Sequence, residues 1–158
     1  MAQDQHRSDD QRSILIVEDD ETTRVIVVRY FETAGLRVFQ AESGEEALAI
    51  LRAHGRAIDW LFTDICLPGE ISGWIVGAEF NLNHPLRPVI YATGSAPRGR
   101  EQAAGSVFIQ KPYSPHEVFT VFRNLEGRSA EMAEIFKPFY DRGEALGSTV
   151  RLAASGRA

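Results

Sequence analysis

Ile14-Leu15-Ile16-Val17-Glu18-Asp19-Asp20-Glu21 sets four aliphatic side chains directly against four acids. An aliphatic run without polar alternation suits a strand buried on both faces, as in a parallel sheet. The sudden change to carboxylates places acids at that strand's carboxyl end. Similar strands recur downstream: Arg37-Val38-Phe39-Gln40-Ala41, Asp59-Trp60-Leu61-Phe62-Thr63-Asp64, Val89-Ile90-Tyr91-Ala92 and Val107-Phe108-Ile109. Helical patterns fill the gaps. One covers residues 22–34 and stops at Gly35. A second runs from Ser43, an N-cap whose capping box is completed by Glu46, to about residue 54. A third covers 74–83 and is closed by Pro85 and Pro88. At most a short helix fits 97–105, where Gly99 and Gly105 weaken it. The last opens on Ser114 and Pro115 and runs to about Leu125, with Gly127 following. Five strands alternating with five helices predict an α/β fold, a five-stranded parallel sheet doubly wound by helices.

The 158 residues make one domain with tails. Residues 1–12 read as a flexible polar tail and 13–127 as the domain. Residues 128–158 read as a partly helical C-terminal extension, with one helix over 130–140 bent or ended by Pro138. That piece is too short for an independent output domain. The net charge of −5 argues against non-specific nucleic-acid binding, which needs an excess of Lys and Arg. A single cysteine, Cys66, excludes an internal disulfide and a multi-cysteine zinc site. No apolar run is long enough to span a membrane, and the N-terminus lacks an apolar signal core, so a cytoplasmic location is expected.

In open α/β sheets, ligands bind beyond the carboxyl ends of the strands. There the first strand delivers Glu18, Asp19 and Asp20, the third Asp64, the fourth Thr93 and the fifth Lys111. Crowded carboxylates repel unless one is protonated or they share a cation. Oxygen donors of this kind suit Mg²⁺. A carboxylate beside a metal and a lysine is a workable nucleophile towards phosphorus. Phosphoryl transfer then needs cations and donors on the phosphoryl oxygens, and Mg²⁺, Lys111 and the Thr93 hydroxyl would supply them.

With these residues in place, the chain resembles the receiver domain of two-component response regulators over about residues 13–127. The matching pieces stand in the family's order: Ile14 to Asp20, then Phe62-Thr63-Asp64-Ile65-Cys66-Leu67-Pro68-Gly69, then Ala92-Thr93-Gly94, then Lys111-Pro112-Tyr113. The resemblance implies a flavodoxin-like receiver fold. It implies that Asp64 accepts a phosphoryl group with Mg²⁺, from a histidine kinase or phosphotransfer protein. It makes Asp19 the direct acidic metal ligand, Glu18 a ligand through water, and the Cys66 backbone carbonyl the remaining protein ligand. Thr93 and Lys111 would contact the phosphoryl oxygens, and Phe108 takes the place of the aromatic switch residue. The stretch between Thr93 and Lys111 is a few residues short for the family, so the helix there is expected to be shortened or irregular. Tyr91-Ala92-Thr93-Gly94 is similar to a signature of single-domain receivers. A stand-alone regulator that switches its protein-binding face for a downstream partner is therefore expected.

Each residue also has a plainer reading. The acids at 18–21 suit a helix N-terminus. Asp64 and Thr93-Gly94 suit turns, and Lys111 suits the surface. Their convergence on one sheet edge is what favours a site. Phe108 serves equally as packing or as a switch. The Cys66 side chain reads as structural, with its carbonyl the functional atom. Trp60 and Trp74 read as packing, and His6, His54, His84 and His116 are scattered. Two other functions compete. A phosphohydrolase with an aspartate nucleophile wants a second acid two residues on, where Cys66 stands. A phosphate-independent interaction module on the same fold is the main alternative. In any of these, the stretch from Glu131 to Arg142, with Ile135, Phe136, Phe139 and Tyr140, is a candidate dimerising or docking helix. No G-x-G-x-x-G follows the first strand, so a dinucleotide site is excluded.

Overall fold

The computed structural model describes residues 11–85, 87–95 and 106–140. Five strands, β1 (Ser13–Val17), β2 (Arg37–Ala41), β3 (Trp60–Asp64), β4 (Ile90–Thr93) and β5 (Val107–Gln110), pair in parallel in the order β2-β1-β3-β4-β5. Four α-helices accompany them among the described residues: α1 (Glu21–Thr33), α2 (Gly44–His54), α3 (Gly73–Asn83) and α4 (Pro115–Tyr140). A short 3₁₀ turn, Gly55–Ala57, follows α2. The short helix expected over 97–105 lies outside the described residues.

The aliphatic run of β1 is buried along its whole length. Burying each such side chain is worth about 1.5–3 kcal/mol relative to exposure. The pleat sends alternate residues to opposite faces, and each face has its own helix pair. Leu15, Val17 and Leu61 join Ala47 and Leu51 of α2 and Val76 and Phe80 of α3 in one core. On the other side, Phe31 of α1 meets Phe119 and Phe122 of α4 edge-on at 5.3 and 5.6 Å, and Phe122 meets Trp60 of β3 at 5.2 Å. The sheet is therefore doubly wound, as expected.

Local signals set the helix ends. Asp20 caps α1 by accepting the Thr23 N–H at 2.7 Å. Ser43 caps α2 through the Glu46 N–H at 3.2 Å. The return half of that box differs from expectation, because the Glu46 carboxylate takes the N–H of Glu42 instead of Ser43. Ser114 and Glu117 form a reciprocal box at the start of α4.

The chain forms two compact units, Met1–Phe122 and Arg123–Ala158. The first contains the sheet, α1 to α3 and the start of α4. In the second, the described residues continue α4. Two expectations are corrected here. The helix does not stop before Gly127 and restart at 130; it is continuous to Tyr140, with Pro138 in its final turn. One exposed glycine costs about 1 kcal/mol in a helix, and the strong helix formers around it, from Glu126 to Glu134, outweigh that. Gln11 and Arg12, assigned to the loose tail, are tied in: Gln11 Nε2 donates to the Gly35 carbonyl at 3.3 Å and the Arg37 N–H to the Arg12 carbonyl at 2.9 Å. The side chains of Ile135, Phe136, Phe139 and Tyr140, on which the docking-helix reading rests, lie outside those described. Among the described residues no helix is long and apolar enough to cross a membrane.

Candidate functional site

In this strand order the winding reverses between β1 and β3, and the crevice at their carboxyl ends is where such sheets bind ligands. The residues just beyond β1 divide the work. Glu18 is buried, at 1% exposure, and its N–H continues the sheet ladder to the Ala41 carbonyl at 3.1 Å. Its Oε1 accepts the Asp20 N–H at 3.2 Å and its Oε2 the Tyr113 hydroxyl at 2.8 Å. Arg24 Nη1, from the first turns of α1, donates to the Glu18 carbonyl at 2.7 Å. Asp19 is exposed, and Asp20 is spent on capping α1.

Asp64 ends β3 and is buried. Its Oδ1 accepts the Cys66 N–H at 3.0 Å, and its Oδ2 pairs with Lys111 Nζ. The same ammonium lies 3.4 Å from Glu18 Oε2. Glu18, Asp19 and Asp64 each place an oxygen within 4.8 Å of the others. The first turn of α3 packs hard against this point: a Cβ on Gly73 would lie 2.0 Å from the Asp64 carbonyl oxygen, so only glycine fits.

Thr93 ends β4, and its hydroxyl is turned to its own loop, donating to the Ser95 carbonyl at 2.7 Å. Its carbonyl accepts the Lys111 N–H at 2.8 Å, which ties the two residues through their backbones. Phe108 is half-buried. It stacks on Tyr91 at 5.6 Å and 20°, with Trp74 at 5.9 Å. The Cys66 side chain is exposed, while its backbone N–H serves Asp64. Of the histidines, His84 bonds the Gly55 carbonyl, His116 the Tyr30 hydroxyl, and His54 lies against the Phe39 ring.

The electrostatics follow from this packing. Burial pushes the Glu18 carboxyl above its usual value, against the opposing pull of the Tyr113 hydroxyl, the Asp20 N–H and Lys111. Burial acts to lower Lys111, but its bond to Asp64 and the charges of Glu18 and Asp64 win and hold the ammonium above the usual lysine range. Burial and the Glu18 charge raise Tyr113, so its hydroxyl stays a proton donor. Three carboxylates at this spacing, two of them buried, form an all-oxygen donor set that fits a hard divalent cation.

Sheet order and site together define an α/β domain of the receiver class. The chain belongs to the response regulator receiver domain family, whose model matches residues 14–123. It is 30% identical over 117 residues to the sensor kinase CckA of Brucella abortus (strain 2308); the match covers 72% of this chain and 12% of the kinase's length. Among solved structures, a response regulator receiver protein from Sinorhizobium medicae WSM419 superposes with a TM-score of 0.66 at 26% identity, covering 75% of this chain and 96% of the other. The receiver domain of the sensor histidine kinase PA1611 from Pseudomonas aeruginosa PAO1 was solved with a magnesium ion in its active-site cleft. It gives a TM-score of 0.61 at 25% identity, covering 74% and 98%.

The geometry brings Glu18, Asp19, Asp64 and Lys111 together, as expected from the sequence. Two residues escaped that reading. Tyr113 was part of a quoted motif without a role, and Arg24 was an ordinary helix position. Arg24 had one usable signal, a lone cation a turn into a helix that follows four acids.

Proposed function

We propose that this receiver accepts a phosphoryl group on Asp64 and thereby switches its protein-binding face. The carrying observation is the pairing of buried Asp64 with Lys111, beside Glu18 and Asp19 at the winding reversal. The donor is a phosphohistidine of a histidine kinase or phosphotransfer protein. A carboxylate oxygen of Asp64 attacks phosphorus in line. The phosphorus–nitrogen bond breaks, and its electron pair leaves with the imidazole. Lys111 Nζ passes from Asp64 to a phosphoryl oxygen, and the Thr93 hydroxyl turns from Ser95 towards the new group.

Asp19 would hold Mg²⁺ directly, together with Asp64 and the Cys66 carbonyl. Glu18, with both oxygens already engaged, would act through water. When bound, the cation offsets the charge gathered by the carboxylates and the phosphoryl oxygens. The added charge of about −1.5 to −2 recruits Thr93 and Lys111. Phe108 follows Thr93, which changes the surface around β4 and β5. The domain is read as a cytoplasmic phosphoacceptor with self-catalysed loss of the phosphoryl group, not as a steady-turnover enzyme.

Transfer of radiolabel from a phosphorylated histidine-containing domain tests the donor class. Label should reach the chain with Mg²⁺, and should fail to do so after chelation or in Asp64→Asn. Equal labelling of wild type and Asp64→Asn would refute the assignment, and absence of labelling from every such donor would favour the phosphate-independent module.

A further inference from the structure

Lys111 has two carboxylates to serve and, in the reading above, a phosphoryl oxygen to reach. Something else must keep Glu18 in place when the ammonium moves. Glu18 Oε1 is held by the Asp20 N–H, from the loop after β1. Oε2 is held by the Tyr113 hydroxyl at 2.8 Å, well inside hydrogen-bond range, whereas Lys111 stands off at 3.4 Å. The Tyr113 ring is fixed in turn: it meets Phe62 of β3 edge-on, at 5.5 Å and 90°. A hydroxyl also differs from an ammonium in kind. It satisfies the buried oxygen without adding positive charge beside a cation site.

We propose that Tyr113 is a positioning residue for the divalent-cation site, its neutral hydroxyl fixing Glu18 Oε2 so that Lys111 is free for Asp64 and the incoming phosphoryl group. This rests on the Mg²⁺-dependent reading of the site. Without the hydroxyl, Lys111 is the remaining donor to Oε2 among the described contacts. The ammonium closes on Glu18, and an arriving dication must displace it. Partners of this outer kind commonly change metal affinity by 10–100-fold.

Calorimetric titration of Mg²⁺ into wild type, Tyr113→Phe, Glu18→Gln and the double variant tests this. Tyr113→Phe keeps the ring against Phe62, and near-ultraviolet circular dichroism verifies its fold. It should bind Mg²⁺ about tenfold more weakly, and its labelling by acetyl phosphate should return to the wild-type rate at saturating Mg²⁺. In the Glu18→Gln background the same change should have no further effect. Unchanged or tighter Mg²⁺ binding by Tyr113→Phe would overturn the role. So would a labelling deficit that saturating Mg²⁺ does not restore, or an undiminished loss in the Glu18→Gln background. Wild type that binds no Mg²⁺ would overturn the underlying reading and this role with it, whereas wild-type binding with an indifferent Tyr113→Phe overturns only the role.

Discussion

Glu18 carries a charge in a place that taxes it. Its raised pKa means the folded chain holds this proton more tightly than the unfolded chain does. The group therefore costs no stability below its usual value of 4.5. The cost grows as pH rises from there through the folded value, then levels off. Metal-free Glu18→Gln should accordingly gain stability over wild type as pH rises from 4.5. Denaturant unfolding of both proteins across that range checks it, and a constant or shrinking gap would contradict it. Arg24 makes the complementary case. Its bond to the Glu18 carbonyl is short, and its side chain is only 11% exposed, whereas its other partner, Glu42, is 3.7 Å away and 71% exposed. A hydrogen bond from a charged group contributes about 1.5–3 kcal/mol, and an exposed ion pair about 0–1. Arg24→Ala should lower the unfolding free energy by the first amount and Glu42→Ala by the second. Equal losses would mean that the carbonyl contact is not what matters.

At the level of elements, α4 offers a direct check on its continuity. Gly127 is exposed, and nothing lies within 4 Å of where its Cβ would sit. Gly127→Ala should therefore stabilise the helix by about 0.5–1 kcal/mol, read as a rise in melting temperature and helical circular dichroism. A loss would show that the chain needs a break there. The strands were easy to read, because an uninterrupted run such as Ile14 to Val17 admits little besides a buried strand, and the observed bounds differ by a residue or so. The end of α4 was not, because the cost of one glycine is local while the propensity that overrides it is spread over the next two turns. Glu18, Asp19, Asp64 and Lys111 were legible because each stands at a strand's end. The bond from Tyr113 to Glu18 was not. Those residues are 95 positions apart, and β1 and β5 are not neighbours in the sheet. Only the folded order brings them together.

Across the whole sheet, the two edges have different characters. At the amino edge, Asp59 accepts the Ser13 N–H and hydroxyl, each at 3.0 Å, and Arg87 donates to its carbonyl at 2.6 Å while lying over the Trp60 ring. Charge there is absorbed internally and joins strands. At the carboxyl edge, a half-buried lysine answers two of three gathered carboxylates, an arrangement that a cation and a phosphoryl group would complete. Folding has placed unspent negative charge where the winding reverses, and in the proposed function this charge serves to accept phosphorus at Asp64. Intact-mass analysis after incubation with acetyl phosphate and Mg²⁺ tests that claim most directly. Wild type should gain one phosphoryl group, and Asp64→Asn, or wild type after chelation of the metal, should gain none. The same adduct on Asp64→Asn, or no adduct on wild type even when hydrolysis is slowed by cold quenching, would contradict it.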